Sequence, residues 1–329
     1  MSNATGNFSS EDFEQPIKEL ESKIEELEQL QADSGGQLQL DTEIEALRQR
    51  LAAVTKDIFS NMTAWQRITI ARRPDRPVTS DYVSLITTNF MELHGDRCFS
   101  DDRAIISGLA QVGKHRVLLV GTQKGKNTRE RTQCNWGCPH PEGYRKAIHK
   151  MQLAERFGLP IVTLIDTTGA YPGIGAEERG QAQAIAYNLR AMSTLRVPIL
   201  CVIIGEGGSG GAIGIGLGDK FLMMENSWFS VISPEGCAAI LWKTADKRKE
   251  AAEALKLTAK DLLRLGIIDQ IIPEPAGGAH RDIAAAASAV KEAIVGGLDE
   301  LRKVPLDELL NVRYQKYRRV GAFLSGDVS

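Results

Sequence analysis

Helical segments alternate with short apolar runs through the middle of this chain of 329 residues, and the apolar runs end in glycine-rich loops. The order is a helix at 142–157, an apolar run at 160–166, a helix at 176–195 and an apolar run at 198–204. A continuous apolar run of this length is typical of a strand that is buried on both faces. The alternation therefore predicts an α/β domain with parallel strands.

Further patterns extend this domain on both sides. Two β-prone runs, 104–112 and 116–122, flank Gly113 and Lys114 and predict a hairpin. The other predicted elements are strands at 221–224, 229–232 and 267–272, and helices at 234–244, 247–255, 259–265 and 282–295. Because 43% of the residues are hydrophobic, the chain can bury a core of that size.

The first 60 residues have a different character. Apolar residues recur every three or four positions at 17–27 and 40–58, which predicts two helices in a short antiparallel hairpin with a turn at 33–36. Thirteen acidic and five basic residues give this segment a net charge of −8. We interpret the hairpin as a brace on the main domain, with a partner-binding arm as the alternative.

Prolines mark the predicted boundary of the main domain. Pro74 and Pro77 end the helical pattern, since proline and the residue before it disfavour helix. We therefore predict three parts, which are a helical hairpin with linker at 1–73, an α/β domain at 74–298 and a helical tail at 299–329.

Composition excludes several classes of protein. Five cysteines are an odd number in a chain without a secretory leader pattern, which disfavours a disulfide framework and indicates a reducing, cytoplasmic compartment. No apolar run reaches the roughly 18 residues of a membrane span. The net charge after residue 60 is +6, which is too small to indicate nucleic-acid binding and suits an anionic substrate.

Two glycine-rich loops follow the buried strands. The first spans 166–173 and includes Gly169, Ala170 and Gly173, and the second spans 205–212. Glycines at a strand-to-helix turn bring backbone N–H groups close to a ligand, and the positive end of the next helix favours negative charge. The two loops therefore predict a site that stabilises permanent or developing negative charge.

Several interpretations remain open for the second loop. A GxGxxG pattern with Glu225 beyond it matches a dinucleotide-binding fingerprint, although four glycines in 211–218 are a poor composition for a long helix. A GxSxG pattern centred on Ser209, with Asp269 and His280 downstream, matches a serine hydrolase. Alternatively, backbone N–H groups form an oxyanion hole, or the glycines only let helix and sheet pack closely.

Two weaker motifs point to other ligands. The segment 108–115 is one residue short of a P-loop, because His115 stands where Ser or Thr would bind Mg²⁺. Cys134, Cys138 and His140 lie close together but lack the paired spacing of a zinc site. We expect neither an ATP site nor a metal site on this chain.

A group of basic residues follows the predicted hairpin. Its members are Lys124, Lys126, Arg129, Arg131, Arg145, Lys146 and Lys150. Such a group fits a solvated face, and it also fits a contact with phosphate or with a partner.

Longer blocks of sequence together resemble one known family. They lie at 12–16, 135–147, 166–173, 175–181, 204–212, 231–238, 271–275 and 277–281. In order and residue content they resemble the alpha subunit of bacterial acetyl-CoA carboxylase carboxyltransferase, over most of the chain. Blocks of this length are far more specific than a single glycine motif.

The resemblance implies both a fold and a reaction. The fold is the crotonase-like (ClpP/crotonase) spiral of ββα units, preceded here by the N-terminal α-helical hairpin. With a zinc-bearing beta subunit, in an alpha2beta2 assembly, the chain is expected to transfer the carboxyl group of carboxybiotin to acetyl-CoA, which gives malonyl-CoA for fatty acid synthesis. Biotin arrives on the biotin carboxyl carrier protein from a biotin carboxylase that uses ATP. No tightly bound cofactor is therefore expected on this chain.

The resemblance also assigns site residues. It implies that the backbone N–H groups of Gly210 and Gly211 form an oxyanion hole for the biotin enolate, while the biotin nitrogen serves as the base. Further biotin-binding residues are expected at Gly207, Gly208, Gly169, Ala170 and Gly173. Such a site needs few titratable side chains, in agreement with the lack of a convincing His or Cys constellation.

One residue departs from the family pattern. The family usually has Pro where this chain has Thr168. Proline would fix φ and remove an N–H group, so Thr168 leaves the first loop less constrained and adds a donor. We expect the loop to tolerate Thr168 because Gly169 carries the demanding geometry.

Overall fold

The computed structural model of the chain describes residues 13–34 and 38–321. Within these ranges the chain divides into two compact units, between Gln66 and Arg67. The predicted turn at 33–36 lies largely outside the described residues. None of the helices in the described ranges is long and apolar enough to cross a membrane.

The first unit contains the predicted pair of helices. They are α1 Gln15–Asp33 and α2 Asp41–Ser60. Late in α1, Glu28 forms an ion pair of 2.6 Å with Arg48 in the middle of α2. Gln31, also late in α1, donates a hydrogen bond to Asp41 at the start of α2. These contacts show that the two helices run antiparallel, and the helical hairpin is confirmed.

The other elements alternate as expected. The strands are β1 Thr87–Glu92, β2 Ile105–Val112, β3 His115–Thr122, β4 Ile161–Thr167, β5 Ile199–Gly208, β6 Lys220–Met224, β7 Trp228–Ser230 and β8 Gln270–Ile272. The helices are α3 Ala64–Ala71, α4 Thr79–Ile86, α5 Thr128–Gln133, α6 Pro141–Arg156, α7 Ile174–Glu178, α8 Gln181–Thr194, α9 Ser209–Ile213, α10 Pro234–Trp242, α11 Arg248–Leu255, α12 Ala259–Arg264, α13 Ile283–Leu301 and α14 Leu306–Arg318.

These strands form one sheet in the order β1-β2-β3-β4-β5-β6-β8, and β7 pairs with the end of β5. β1, β2 and β3 pair antiparallel, and the predicted β2–β3 hairpin turns at Gly113, whose φ is +55°. From β3 onwards the neighbouring strands are parallel. The predicted α/β domain with parallel strands is confirmed.

Two hydrophobic cores cover the opposite faces of the sheet. In β5 successive side chains alternate between them, as the geometry of a strand requires. Toward α6 and α8 point Ile199, Cys201 and Ile203. Toward α4 and α13 point Leu200, Val202 and Ile204. Burial on both faces explains why β5 is apolar throughout its first six residues.

The predicted boundaries differ from the structure at a few places. The expected helix 176–195 is broken at Gly180, whose φ of +83° separates α7 from α8. The expected strand 267–272 is shortened to three residues, because the N–H groups of Ile267 and Ile268 donate to the carbonyl of Leu262 in α12 and not to a neighbouring strand. The helix expected at 282–295 continues to Leu301.

Candidate functional site

The two glycine loops lie side by side at one edge of the sheet. β4 leads into residues 168–173, and β5 leads into α9. Neighbouring parallel strands end at the same edge, which we call the carboxyl edge. The structure therefore brings together loops that are some 40 residues apart in the sequence.

The loops touch through their backbones. A Cβ atom on Gly208 would overlap the backbone carbonyl of Thr168, and one on Gly211 would overlap the backbone of Gly169. Backbone atoms cannot move aside as the end of a flexible side chain can. Glycine is thus required at 208 and 211 by close packing, and this approach sets the distance between α9 and the first loop.

Helix α9 is only five residues long, and it begins at Ser209. Ser209 is exposed and has a left-handed φ of +50°, so the chain turns sharply between β5 and α9. In the first turn of a helix the backbone N–H groups have no acceptor within the helix. Here those groups belong to Ser209, Gly210 and Gly211. Gly210 has less backbone crowding, since a Cβ would approach only the Ile185 side chain, at 3.2 Å.

The other predicted biotin-binding residues are more spread out. Ala170 packs against the core, and a Cβ on Gly173 would overlap the ring of Tyr171. Gly207 pairs with Phe229 of β7, and a Cβ there would come within 2.9 Å of the Phe229 ring. The structure thus clusters Gly169, Gly208, Gly210 and Gly211, while Gly173 and Gly207 lie at the sides. Their roles remain predictions.

Beneath the loops lies a cluster of buried charges that the sequence patterns did not indicate. The Lys124 ammonium lies 2.7 Å from the Asp166 carboxylate and 2.6 Å from the Glu206 carboxylate. Arg72 forms a second ion pair with Glu206, at 2.8 Å, and a third with Glu235, at 2.6 Å. Asp166 is the first residue of the first glycine loop, and Glu206 is the second residue of the second. We call Lys124, Asp166 and Glu206 the carboxyl-edge cluster.

The opposite charges of the cluster stabilise one another by electrostatic attraction. Burial by itself would raise the pKa of Glu206, yet Lys124 and Arg72 hold it below its usual range. Burial works against the charge on Lys124, but Asp166 and Glu206 together raise its pKa above the usual value. The ion pairs therefore favour the charged forms of Lys124 and Glu206.

A small pocket opens beside this cluster. Its volume is about 160 Å³, and its lining includes Thr168 of the first loop together with Lys124, Asp166, Glu206, Arg131 and Trp136. The ring of Trp136 is 52% exposed, and the Arg131 guanidinium lies 5.8 Å from its centre. Trp136 has an unusual φ of +56°, between Asn135 and Gly137, which also have positive φ values. This left-handed turn positions Trp136 at the pocket wall.

The residues considered for metal binding have other contacts. Cys138 Sγ lies 3.1 Å from the Thr168 hydroxyl, and burial raises the pKa of the Cys138 thiol. The His140 ring stacks on Tyr171 at 4.1 Å, and its Nδ1 hydrogen-bonds Asn135. Among residues 13–34 and 38–321, no group of three or more His, Cys, Asp or Glu side chains is arranged to hold a metal ion.

The basic residues after the hairpin mostly form internal contacts. Lys126 pairs with Asp81, and Arg145 pairs with Asp96 at 3.0 Å and with Glu142. The remaining contacts are Lys146 with Asp101, Lys150 with the carbonyl of Gly95, and Arg131 with the carbonyl of Pro74. Most of these cations join elements of the fold, whereas Lys126 and Arg129 are exposed, and a contact with phosphate or with a partner stays a prediction.

The serine hydrolase interpretation does not fit the sheet. Ser209 follows the end of β5, whereas Asp269 precedes β8, and β5, β6 and β8 are parallel. Ser209 and Asp269 therefore lie at opposite edges of the sheet. Asp269 is engaged by Lys316 and by the N–H group of Phe221. Ser209 has the sharp turn of a nucleophile elbow without the acid of a triad.

The nucleotide interpretations also fail on geometry. The helix after the GxGxxG pattern has five residues, too few for the helix that binds a pyrophosphate in a dinucleotide fold. The near-P-loop at 108–115 is the β2–β3 hairpin, which lacks a following helix. His115 is buried in β3 and lies 3.0 Å from Asp299.

Solved structures share this fold. Transcarboxylase 12S matches 66% of this chain with a TM-score of 0.53 at 20% identity. The beta subunit of geranyl-CoA carboxylase from P. aeruginosa matches 69% with a TM-score of 0.52 at 19% identity. The chain spans less than half of either protein, 42% and 48%. These likenesses define the fold class as crotonase-like, and the predicted fold is confirmed.

Closer relatives identify the family. The family model described as acetyl co-enzyme A carboxylase carboxyltransferase-like matches residues 10–321. The acetyl-coenzyme A carboxylase carboxyl transferase subunit alpha of Methylococcus capsulatus is 54% identical over 95% of this chain and 97% of its own length. The protein of the same name from Oceanobacillus iheyensis is 52% identical over 95% of this chain and 98% of its own. This chain belongs to the acetyl-CoA carboxylase carboxyltransferase family.

Proposed function

We propose that this chain is the alpha subunit of an acetyl-CoA carboxylase carboxyltransferase. With a beta subunit it transfers the carboxyl group of carboxybiotin to acetyl-CoA and yields malonyl-CoA. The family match over residues 10–321 supports the reaction, and the contact between the two glycine loops supports the position of the site. The contact between the loops is the observation that carries this assignment to particular residues.

The residues of this chain act mainly through their backbone. The N–H groups of Gly210 and Gly211 lie in the first turn of α9, where no acceptor within the helix takes them. Donors placed in advance around a developing oxyanion lower the barrier, typically by about 3 to 4 kcal/mol for each donor. Thr168 and Gly169 of the first loop hold this turn in place, because they lie against Gly208 and Gly211.

Biotin fits a site of this kind. A ureido oxygen that gains negative charge requires N–H donors, and the first turn of α9 presents them without a competing side chain. When bound, carboxybiotin would supply the carboxyl group as CO2, and the nitrogen freed by that release would supply the base that takes a proton from acetyl-CoA. The chain itself then needs no general base at this point, in line with the absence of His, Asp or Glu among the described residues that hydrogen-bond the Ser209 hydroxyl.

The remaining parts of the reaction belong to partners. The beta subunit holds acetyl-CoA and carries the zinc, and the two kinds of subunit form an alpha2beta2 assembly. Biotin comes on its carrier protein, and a biotin carboxylase consumes the ATP. All five cysteines are free thiols, which supports a reducing, cytoplasmic compartment.

Reconstitution tests this proposal. The chain is mixed with the beta subunit of the same organism, and decarboxylation of malonyl-CoA is followed in the presence of biotin. We expect turnover only when both subunits and biotin are present. Each subunit alone and the complex without biotin are the controls. A folded complex that shows no turnover across the pH range would refute the proposal.

A further inference from the structure

The register between β4 and β5 breaks directly below the glycine loops. Ile165 pairs with Ile203, but the next pair is Thr167 with Gly207. Asp166 therefore faces three residues of β5, 204–206, where a regular ladder would place one. Such a bulge bends the strand and interrupts its backbone hydrogen bonds, so the ladder alone does not determine where the two loops lie.

At this point side-chain hydrogen bonds take the place of the interrupted backbone hydrogen bonds between β4 and β5. The N–H group of Asp166 donates to the Thr122 hydroxyl at 2.6 Å, and its carboxylate accepts the N–H group of Glu206 at 2.8 Å. The same carboxylate lies so close to Gly205 that a Cβ there would overlap it. Asp166 therefore connects β3 to β4 and β4 to the bulged part of β5.

Lys124 completes the connection. It lies two residues after β3, and its ammonium contacts both Asp166 and Glu206. Its stem is confined as well, because a Cβ on Gly137 would come within 2.7 Å of Lys124 Cγ. The side chain is only 17% exposed. A buried cation between two buried carboxylates holds them at hydrogen-bonding distance, where they would otherwise repel each other.

We propose that Lys124 is a positioning residue for the oxyanion hole. Lys124 links the Asp166 carboxylate to the Glu206 carboxylate. This link fixes the position of the end of β4, which leads to Thr168 and Gly169, relative to the end of β5, which leads to the first turn of α9. The inference rests on the proposed function. Lys124 acts through the two carboxylates, without contact with the reacting atoms.

Substitution of Lys124 in the assembled alpha–beta enzyme tests the inference. Lys124→Met is expected to lower kcat by about 100-fold, because a displacement of about 1 Å in a preorganised site has an effect of that size. KM for malonyl-CoA is expected to stay within about threefold, since Lys124 acts on the position of the oxyanion hole and the proposed function places acetyl-CoA on the beta subunit. Lys124→Arg keeps the charge and is expected to retain at least about a tenth of the wild-type kcat.

The chain offers a matched control. Lys316 is 15% exposed, contacts Asp269, and lies in α14 at the other edge of the sheet. Lys316→Met removes the same kind of cation and is expected to lower the melting temperature by less than Lys124→Met does, because its partner Asp269 is 37% exposed, with kcat unchanged. A merely structural role for Lys124 predicts equal kcat for the two variants at equal folded fraction, and that result would overturn the inference.

A double variant keeps the test decisive if Lys124→Met fails to fold. Lys124→Met with Asp166→Asn removes one cation and one anion together, and it is expected to fold and to keep about a tenth of the wild-type kcat. Wild-type kcat in the double variant would overturn the positioning role. Loss of turnover in the wild-type complex itself would instead refute the proposed function.

Discussion

The two edges of the parallel sheet contain the same kind of buried ion pair, but the ion pairs have different roles. At the amino edge, where the strands begin, Arg313 of α14 pairs with Asp219 at 2.7 Å, and Asp219 accepts the N–H group of Ile199. At the carboxyl edge, Lys124 pairs with Asp166, which accepts the N–H group of Glu206. Both edges thus combine a buried cation with a carboxylate that caps a backbone N–H group.

The edges differ in what surrounds the ion pair. Arg313 also donates to the carbonyls of Met192, Leu195 and Val197, and β5 begins there in regular register with β4. At the carboxyl edge the register breaks, two glycines contact backbone, and Ser209 has a left-handed φ. We infer that the amino edge serves stability, whereas the carboxyl edge maintains an irregular backbone that the reaction needs.

Gly211→Ala tests the role of the carboxyl edge, and it is the substitution expected to lower activity the most. The new Cβ would overlap the backbone of Gly169, so the loops must separate and the donors at α9 move. We expect kcat of the reconstituted enzyme to fall on the order of 1000-fold. Gly296→Ala is the control, since a Cβ there meets nothing within 4 Å on α13, and its kcat should equal that of wild type.

Arg313→Met tests the amino edge. Arg313 is 1% exposed, so its removal leaves the buried Asp219 carboxylate without its cation. We expect the free energy of unfolding, measured by urea denaturation, to fall by about 3 kcal/mol, with kcat per folded complex unchanged. Arg196→Met removes an exposed ion pair with Asp307 and should change stability by less than about 0.5 kcal/mol. A fall in kcat for Arg313→Met would contradict the division between the edges.

Ser209→Ala tests whether Ser209, which has a left-handed backbone conformation at the carboxyl edge, acts through its side chain. We expect kcat to change by less than about fivefold, or about 1 kcal/mol, because only an exposed hydroxyl is lost. A serine-directed fluorophosphonate should leave the wild-type chain unlabelled. Labelling that disappears in Ser209→Ala would restore the hydrolase interpretation.

Thr168→Pro is expected to have the smallest effect. The contact of Thr168 with Gly208 uses its backbone carbonyl, which proline also has, and its side chain contacts the weakly bonding Cys138 thiol. We expect kcat to stay within about threefold of wild type, consistent with about 0.4 to 1 kcal/mol for such substitutions. A severalfold increase in kcat would show that Thr168 is not tolerated by the loop but impairs it.

Much of the fold follows from local patterns in the sequence. Burial on both faces explains the apolar runs of β4 and β5, and a period of three to four residues correctly indicates α1 and α2. The structure also supports the packing interpretation of Gly208 and Gly211, which the sequence left beside the oxyanion interpretation. The two are compatible, since a glycine that packs against Gly169 still carries its backbone N–H group in the first turn of α9.

The charged cluster escaped prediction because its members are far apart in the sequence. Lys124 belonged to a run of basic residues, and Asp166 and Glu206 merely flanked the glycines. One signal existed, namely a charge at or just after the end of each of three successive apolar runs. Such charges become meaningful only when the strand order is known, since β3, β4 and β5 are adjacent.

The sequence by itself determined the elements, the family and the two glycine loops, because these depend on residue type, spacing and local backbone freedom. Only the tertiary structure decided that the loops touch, that the register breaks at Asp166, and that Asp269 lies far from Ser209. Contacts of this kind depend on strand order and register, which arise from packing between distant segments. A glycine pattern states that the backbone can approach something, and the fold determines what it approaches.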